Sequence, residues 1–382
     1  MAKVSIVIPA LNEGGVVGKT VRSIPKEELR KLGLETEVLV VDNASEDNTA
    51  KEAEEAGARV VYEPVRGYGS AYRRGLREAT GDIIVMGDAD GTYPLERAHE
   101  FIQPMLNDGV DFVIGTRLKG DIQDGAMPWL HRYIGNPFLT FVGNLLFKTN
   151  ISDFHCGMRA FTREALNKMN LHTTGMEFAT EMIVEAGRKK LRIEEIPIEY
   201  RPRGGGKAKL NSFRDGWRHL RFMLMYSPDY LFMLPGALFF TFGLVLMLML
   251  LGGPVSIGGI SLDIHPMVLG SLLTLLGLNI LLLGLWAKIF AIEEGFIERD
   301  RGVSAFLRYF QLEKGLILGL LIFLAGFVLN FDILYKWYAT GFSGPLPTLR
   351  IAIFASTLII MGVQIIFSSW FTGLMGIERH GK

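Results

Sequence analysis

Residues 82–94 read DIIVMGDADGTYP. An apolar, strand-like run ends in two aspartates one residue apart, followed by Gly91 and then Pro94. Adjacent like charges repel, so a fold gains little by placing them there. Something positive is expected to sit between or beside them. Alternate residues of a strand point to the same side, so Asp88 and Asp90 would face one ligand if the strand persists that far.

The flanking sequence repeats the pattern. KVSIVIPALNE (3–13) is a buried-type strand and a turn, and EVLVVDNASEDNTAKEAEEAG (37–57) is a strand, a loop and a helix. ARVVYEP, GSAYRRGLREA, PLERAHEFIQPMLNDG and DFVIGTR continue the alternation through Arg117. Strands alternating with helices through short connections predict an α/β domain with a mostly parallel sheet covered by helices. Ligands of such sheets sit beyond the carboxyl ends of the strands. Four features fall there: PALNE after the first strand, Asp42-Asn43 after the second, the Asp88/Asp90 pair, and Arg117. Asp42 alone reads equally as a helix N-cap.

Paired carboxylates are hard oxygen ligands, suited to Mg²⁺ or Mn²⁺ held together with substrate phosphates. A metal-bound diphosphate is a good leaving group, because the metal neutralises the charge that develops on it. The pair therefore points to a nucleotide-diphosphate donor. Net formal charge is zero, so no global field suggests nucleic acid. Cys156 is the single cysteine, which excludes an internal disulfide. The N-terminus lacks a long apolar stretch and does not read as a signal peptide.

Charge thins abruptly after YSPDY (226–230): only 18 of the 80 charged residues fall in 229–382. Four apolar stretches follow, expected as spans at about 230–251, 266–287, 315–334 and 351–373, and each is long enough to cross a bilayer as helix. The segment 252–265 has no Lys or Arg, whereas 288–314 carries Lys288, Arg299, Arg301, Arg308 and Lys314. Positive residues mark the cytoplasmic side. The expected layout is a cytosolic catalytic domain (1–210), an interfacial amphipathic helix (211–228) and a four-span membrane domain (229–382).

SIVIPALNE, VVDNASEDNT, RGYGSAYRRG, GDADGTYP, GTR, SDFHCGMRAF and YRPRGGGKAKL cover about the first 215 residues. In that order they resemble family 2 glycosyltransferases of the GT-A fold, and more closely the dolichyl- or polyprenyl-phosphate sugar synthases. The resemblance implies that Pro9, Ala10, Asn12, Glu13 and Asp42 line the nucleotide, with Asp88 and Ala89 at its diphosphate. It implies that Asp88 and Asp90 hold the metal. Arg117, Arg132 and Arg203 would lie near an acceptor phosphate, with Arg159 and Lys209 as further candidates. Many mannosyl members carry Gln two residues after the second Asp. Here Thr92 stands in that place, so a hydroxyl or a water would replace the amide, and DGTY is closer to the glucose-type members.

Transfer to an alcohol needs a general base, for which Asp153, Glu177 and Glu181 are the candidates. A phosphate monoester acceptor removes that need, being largely dianionic at pH 7. It needs cationic positioning instead, and arginine forks suit phosphate oxygens. The basic stretch RPRGGGKAK (201–209) reads as a loop closing over phosphate, or as a juxtamembrane patch attracting anionic lipid. Residues 211–228 and 300–315 have interfacial patterns. The apolar stretch 128–147 fits either core packing or contact with lipid. A polyprenyl tail would stay in the bilayer while its phosphate reaches the arginines, and the spans would anchor the chain and help hold subunits of a homo-oligomer together.

Two other classes stand beside this one. A processive polysaccharide synthase also joins such a domain to membrane helices, but its usual Gln-x-x-Arg-Trp motif is absent. A non-catalytic scaffold or lipid translocator is disfavoured by the carboxylates, arginines and glycine turns occurring together. An internal arginine or lysine filling the acidic tip, with no room for cation or nucleotide, would count against the whole reading.

Overall fold

The strand β1 (Ala2–Ala10) and the second half of β2 (Leu34–Asp42) are runs of Val, Ile and Leu without polar alternation, and both are buried on their two faces. Such strands belong in the middle of a sheet with cover on each side. The computed structural model describes residues 2–204, 212–293, 312–343 and 349–375. With β3 (Arg59–Tyr62), β4 (Ile83–Met86), β5 (Phe112–Ile122), β6 (Arg159–Thr162) and β7 (Ile193–Tyr200) they form one sheet in the order β3-β2-β1-β4-β6-β5-β7. Only β6 runs against its neighbours; the remaining pairs are parallel. The carboxyl ends of the other six strands therefore share one edge, the edge at which such sheets bind ligands.

The helices of this unit are α1 (Val17–Arg22), α2 (Lys26–Lys31), α3 (Thr49–Glu55), α4 (Tyr68–Glu78), α5 (Ala98–Asp108), α6 (Asn136–Phe147), α7 (Arg163–Lys168), α8 (Phe178–Arg188) and α9 (Ser212–Met225). Their seating on the sheet is close. A Cβ added to Gly75 of α4 would lie 2.4 Å from Val7 of β1 and 2.8 Å from Val41 of β2. α5 ends where Gly109 takes a left-handed conformation (φ 64°) that an L side chain resists. α7 starts on Thr162, whose hydroxyl accepts from the Ala165 amide at 3.0 Å.

The chain separates into two units, Met1–Met223 and Leu224–Lys382. The second holds α10 (Leu234–Leu251), α11 (Ile264–Glu293), α12 (Leu312–Ala339) and α13 (Leu349–Met375), with a short hairpin of β8 (Val255–Ile257) and β9 (Ile260–Leu262) between the first two. All four helices are long and apolar enough to cross a membrane, and only 17–33% of their apolar windows is buried within the protein. The remaining apolar surface is suited to lipid.

These helices pack as two hairpins, α10 on α11 and α12 on α13, joined through α11 and α13. Glycines set the approach. A Cβ on Gly277 would meet the Phe240 backbone nitrogen at 2.2 Å, and one on Gly326 would meet the Ala355 carbonyl at 2.5 Å. Without a hydrophobic drive between helices in lipid, such close backbone approach is a main source of association. Charges are confined to the ends. Lys288 pairs with Asp229 at 2.8 Å, and Arg350 pairs with Asp263 while donating to the Leu250 carbonyl at 2.8 Å. Gly277→Leu is expected to split the first hairpin at an overpacking cost of about 1–3 kcal/mol. A lowered melting midpoint of the purified protein in detergent would show it; an unchanged midpoint would mean the close contact is not needed.

Candidate active site

Three turns build the left side of the site. After β1, Asn12 adopts a left-handed conformation (φ 51°), which Asn tolerates better than most residues. Its amide donates to Ser45 Oγ at 3.0 Å, and its side-chain Oδ1 accepts from the Glu46 amide at 2.7 Å. The Glu13 amide donates to Thr49 Oγ1 at 2.8 Å. Asp42, paired in register with Ala10, accepts from the Ser45 amide at 3.1 Å. Pro9, Ala10, Asn12, Glu13 and Asp42 are thus drawn into one corner at the ends of β1 and β2. Asn43 fixes the next turn. Its Nδ2 donates to the carbonyls of Glu63 and Val65, and its Oδ1 accepts from the Gly67 amide.

The acidic pair lies beyond β4 but not on it. β4 ends at Met86, so the strand alternation expected to aim Asp88 and Asp90 does not extend to them. A turn through Gly91 (φ 75°) places them instead. Ala89 is buried, and its carbonyl accepts from Thr20 Oγ1 at 2.9 Å. The Tyr72 hydroxyl donates to the Gly87 carbonyl at 3.2 Å and lies 3.4 Å from Asp88 Oδ1. Burial, and next the charge of Asp90, push the Asp88 carboxyl up to about 7. Thr92 is turned inward: its hydroxyl donates to Asp90 Oδ1 at 2.7 Å.

Arg203 completes the tip. One of its nitrogens pairs with Glu13, and the other lies 3.4 Å from Asp90 Oδ2. It arrives on the segment after β7, where the Arg201 amide donates to the Thr92 carbonyl and the Gly204 amide to the Asp90 carbonyl. An internal arginine does therefore stand at the acidic tip. It brings one positive charge to three carboxylates, and with it in place Asp88 is still held far above an ordinary aspartate. The negative charge in excess of Arg203 fits a divalent cation. Asp88 and Asp90 are the oxygens that would hold it, in the two-carboxylate manner common for Mg²⁺. Among the described residues, no group of three or more His, Cys, Asp or Glu forms a complete protein cage.

The other arginines divide sharply. Arg117 was expected to offer its fork to a phosphate, but Asp153 takes the fork at 2.7 and 2.8 Å and also accepts from the Arg117 amide. Its guanidinium also lies over the Tyr200 ring, 5.2 Å from the centroid. Burial works against the Arg117 charge, and Asp153 more than offsets it, leaving the group firmly protonated. Arg117 faces the site as an anchored charge rather than an open fork.

Arg159 does not join the site. It is fully buried and donates to the carbonyls of Cys156, Ala179 and Phe154, so it pins core loops together. Arg132, half-buried, lies 5.4 Å over the Tyr133 ring and makes no ion pair among the described residues. Lys209 falls outside the described residues, as do Lys207 and most of the 300–315 segment.

The base candidates are largely committed as well. Asp153 is locked to Arg117, and Glu181 accepts from the amides of His172 and Thr173 and from the Thr173 hydroxyl. Glu177 lies at the start of α8, its carboxylate over Gly175. Burial pushes the Cys156 thiol up to about 12, which removes it as a nucleophile. Two contributors escaped the sequence reading. Tyr72 carries no local signal. Gly157 does: a side chain there would press on Tyr93 and on Asp88 Oδ2, at 3.0 and 3.3 Å.

Family comparison agrees with this geometry. Residues 5–169 match the glycosyl transferase family 2 model, and residues 285–376 match the family 2 C-terminal transmembrane region. The low-salt glycan biosynthesis hexosyltransferase Agl6 of Haloferax volcanii is 39% identical over 97% of this chain and 89% of its own length. The dolichyl-phosphate hexose transferase of Haloferax volcanii is 32% identical over 56% of this chain and 88% of that protein. The UDP-N-acetylglucosamine–dolichyl-phosphate N-acetylglucosaminyltransferase of Methanococcus voltae is 30% identical over 51% and 84%. The chain belongs to glycosyl transferase family 2. It is a membrane glycosyltransferase with a GT-A-like domain followed by four apolar helices.

Two outcomes follow from the electrostatics. Asp88 is protonated below about pH 7 and ionised above it, so cation uptake must expel a proton on the acid side. Mn²⁺ affinity, read by titration calorimetry, should weaken about tenfold for each pH unit below 7 and level off above it. A pH-independent affinity would remove Asp88 from the ligand set. Arg117→Ala leaves the fully buried Asp153 without countercharge, at about 3–5 kcal/mol. It should therefore lower the thermal midpoint; unchanged stability would show the pair to be dispensable to the fold.

Proposed function

We propose that the chain transfers a hexose, with inversion, from a nucleotide-diphosphate sugar to a dolichyl or polyprenyl phosphate. UDP-glucose is the preferred donor and GDP-mannose the next. The observation that carries this reading is the pairing of an undercompensated acidic tip with basic residues and committed bases. Asp153 and Glu181 are held in structural bonds, so transfer to an alcohol has little to draw on, whereas a phosphate brings its own nucleophile. The relatives named for dolichyl phosphate support the acceptor, and the one named for UDP-N-acetylglucosamine supports the donor nucleotide.

Pro9, Ala10, Asn12, Glu13 and Asp42 take the nucleoside, and Asp88 with Ala89 borders its diphosphate. Bound at Asp88 and Asp90, Mg²⁺ or Mn²⁺ would neutralise the charge developing on the leaving diphosphate. Arg203 moves from the carboxylates to the incoming phosphate, joined by Arg132 and by Arg117 as a fixed positive charge. A phosphate oxygen then forms the new bond to the anomeric carbon as the bond to the nucleoside diphosphate breaks, and no protein proton is needed. The basic 288–314 segment and the 252–265 segment, which has no Lys or Arg, favour a cytosolic catalytic unit.

Membranes incubated separately with labelled UDP-glucose and GDP-mannose, with and without polyprenyl phosphate, test the reading. The expected product is an organic-soluble label that requires the lipid phosphate and is released by mild acid. Label entering a growing glycan instead would favour a polysaccharide synthase. Asp90→Ala should cut transfer by about a hundredfold or more with the protein still folded; full activity would exclude that carboxylate from catalysis.

A further inference from the structure

Polar side chains are few in the membrane unit, and most are satisfied where they stand. Ser271 of α11 and Thr357 of α13 share a hydrogen bond at 2.7 Å, and Thr274 donates to the Gly270 carbonyl at 2.8 Å. Asn330 of α12 reaches Ser356 of α13 at 3.4 Å. Gln364 of α13 leaves its Oε1 unpartnered, but that atom is buried within the unit. Asn279 differs from all of these. It lies midway along the 30-residue helix α11, inside an apolar span, and it is exposed. Among the described residues its amide makes no hydrogen bond.

Its neighbours on α11 form a stripe. Leu269, Leu272, Leu276, Asn279 and Leu283 are all exposed and succeed one another at steps of three and four residues. That spacing keeps them on one face and is the seam spacing of paired helices. Other sides of α11 are taken up: Gly277 meets the Phe240 backbone of α10, and Ser271 and Trp286 meet Thr357 and Phe371 of α13. Apolar exposure carries no message here, since lipid covers it. The amide does. Lipid tails offer it neither donor nor acceptor, and a polar group left unmet in hydrocarbon is costly. A second copy of the chain supplies both. Copies in one membrane share one orientation, so a two-fold contact along α11 runs parallel and brings equivalent residues face to face. Asn279 is self-complementary in that setting: the partial positive charge on the N–H of each amide meets the partial negative charge on the oxygen of the other.

We propose that the outward stripe of α11, centred on Asn279, is the contact between two copies of this chain. Leu272, Leu276 and Leu283 pack against their own equivalents, and the paired Asn279 amides fix the register, as a single buried asparagine does in a helical seam. Hydrogen bonds between helices are one source of association in lipid. The contact lies within the membrane unit and is independent of the sugar or acceptor used.

Disulfide trapping of the full chain in membranes tests this. Cys156 is the only native cysteine and is buried, so an introduced cysteine reports its own position. Leu276→Cys and Leu283→Cys are oxidised with copper phenanthroline beside Leu321→Cys and Val328→Cys, comparably exposed positions on α12. Crosslinked dimer is expected at 276 and 283 and not on α12. No dimer at any position, or equal yields on both helices as random collision gives, would overturn the proposal. Asn279→Leu, which keeps the helix apolar, should raise the dissociation constant roughly threefold to tenfold, with Asn279→Gln recovering part of the loss. Energy transfer between labelled copies diluted in lipid reads that change. A lowered melting midpoint of Asn279→Leu with unchanged association would show the amide bonded inside its own chain, to Gln364 for example, and would also overturn the proposal.

Discussion

Two carboxylates close together at a largely desolvated tip are the constraint on which the site depends. Asp88 and Asp90 repel each other, and burial raises the cost of ionising both. The fold answers with one arginine in contact and one held at a distance. Arg203 touches Asp90 and Glu13 from the segment after β7, while Arg117 is tied to Asp153 and reaches Asp88 only through space. That compensation is incomplete, as the position of the Asp88 titration shows. On the proposed function, a divalent cation accompanied by a diphosphate would complete it, and binding and charge balance would be the same event.

Much of the fold was legible because its signals are local. The apolar runs of β1 and β2, the turn residues after them and the acidic pair after β4 are all written in short stretches of chain. The four apolar helices declare themselves by length and the near-absence of charge. What failed was whatever depended on a partner distant in sequence. β4 stops at Met86, and Gly87 after it sits against Leu95, where a Cβ would lie 2.5 Å from its side chain. Arg159 and Arg203 look alike as arginines beside motifs, yet one is sealed under three carbonyls and the other bridges two carboxylates. Asp153 reads as a possible base until its countercharge, 36 residues earlier, is known. Spacing says nothing about which charge meets which.

The amphipathic stretch 128–147 shows the same limit from another side. Its composition allowed a core helix or a lipid-facing one, and the structure packs one side against Phe154 and leaves the other exposed. The membrane unit is simpler. Its hairpins rest on glycine contacts where backbones nearly touch, with ion pairs restricted to the helix ends.

Phe154 has one further implication. Its ring fills the notch in α6, and the residue before it is the carboxylate that grips Arg117. Close-packed contacts of this kind transmit displacement rather than absorb it. Packing thus links α6 to the Arg117–Asp153 pair through two consecutive residues, Asp153 and Phe154. A change of volume at Gly143 would therefore be felt at the guanidinium and not only within the helix.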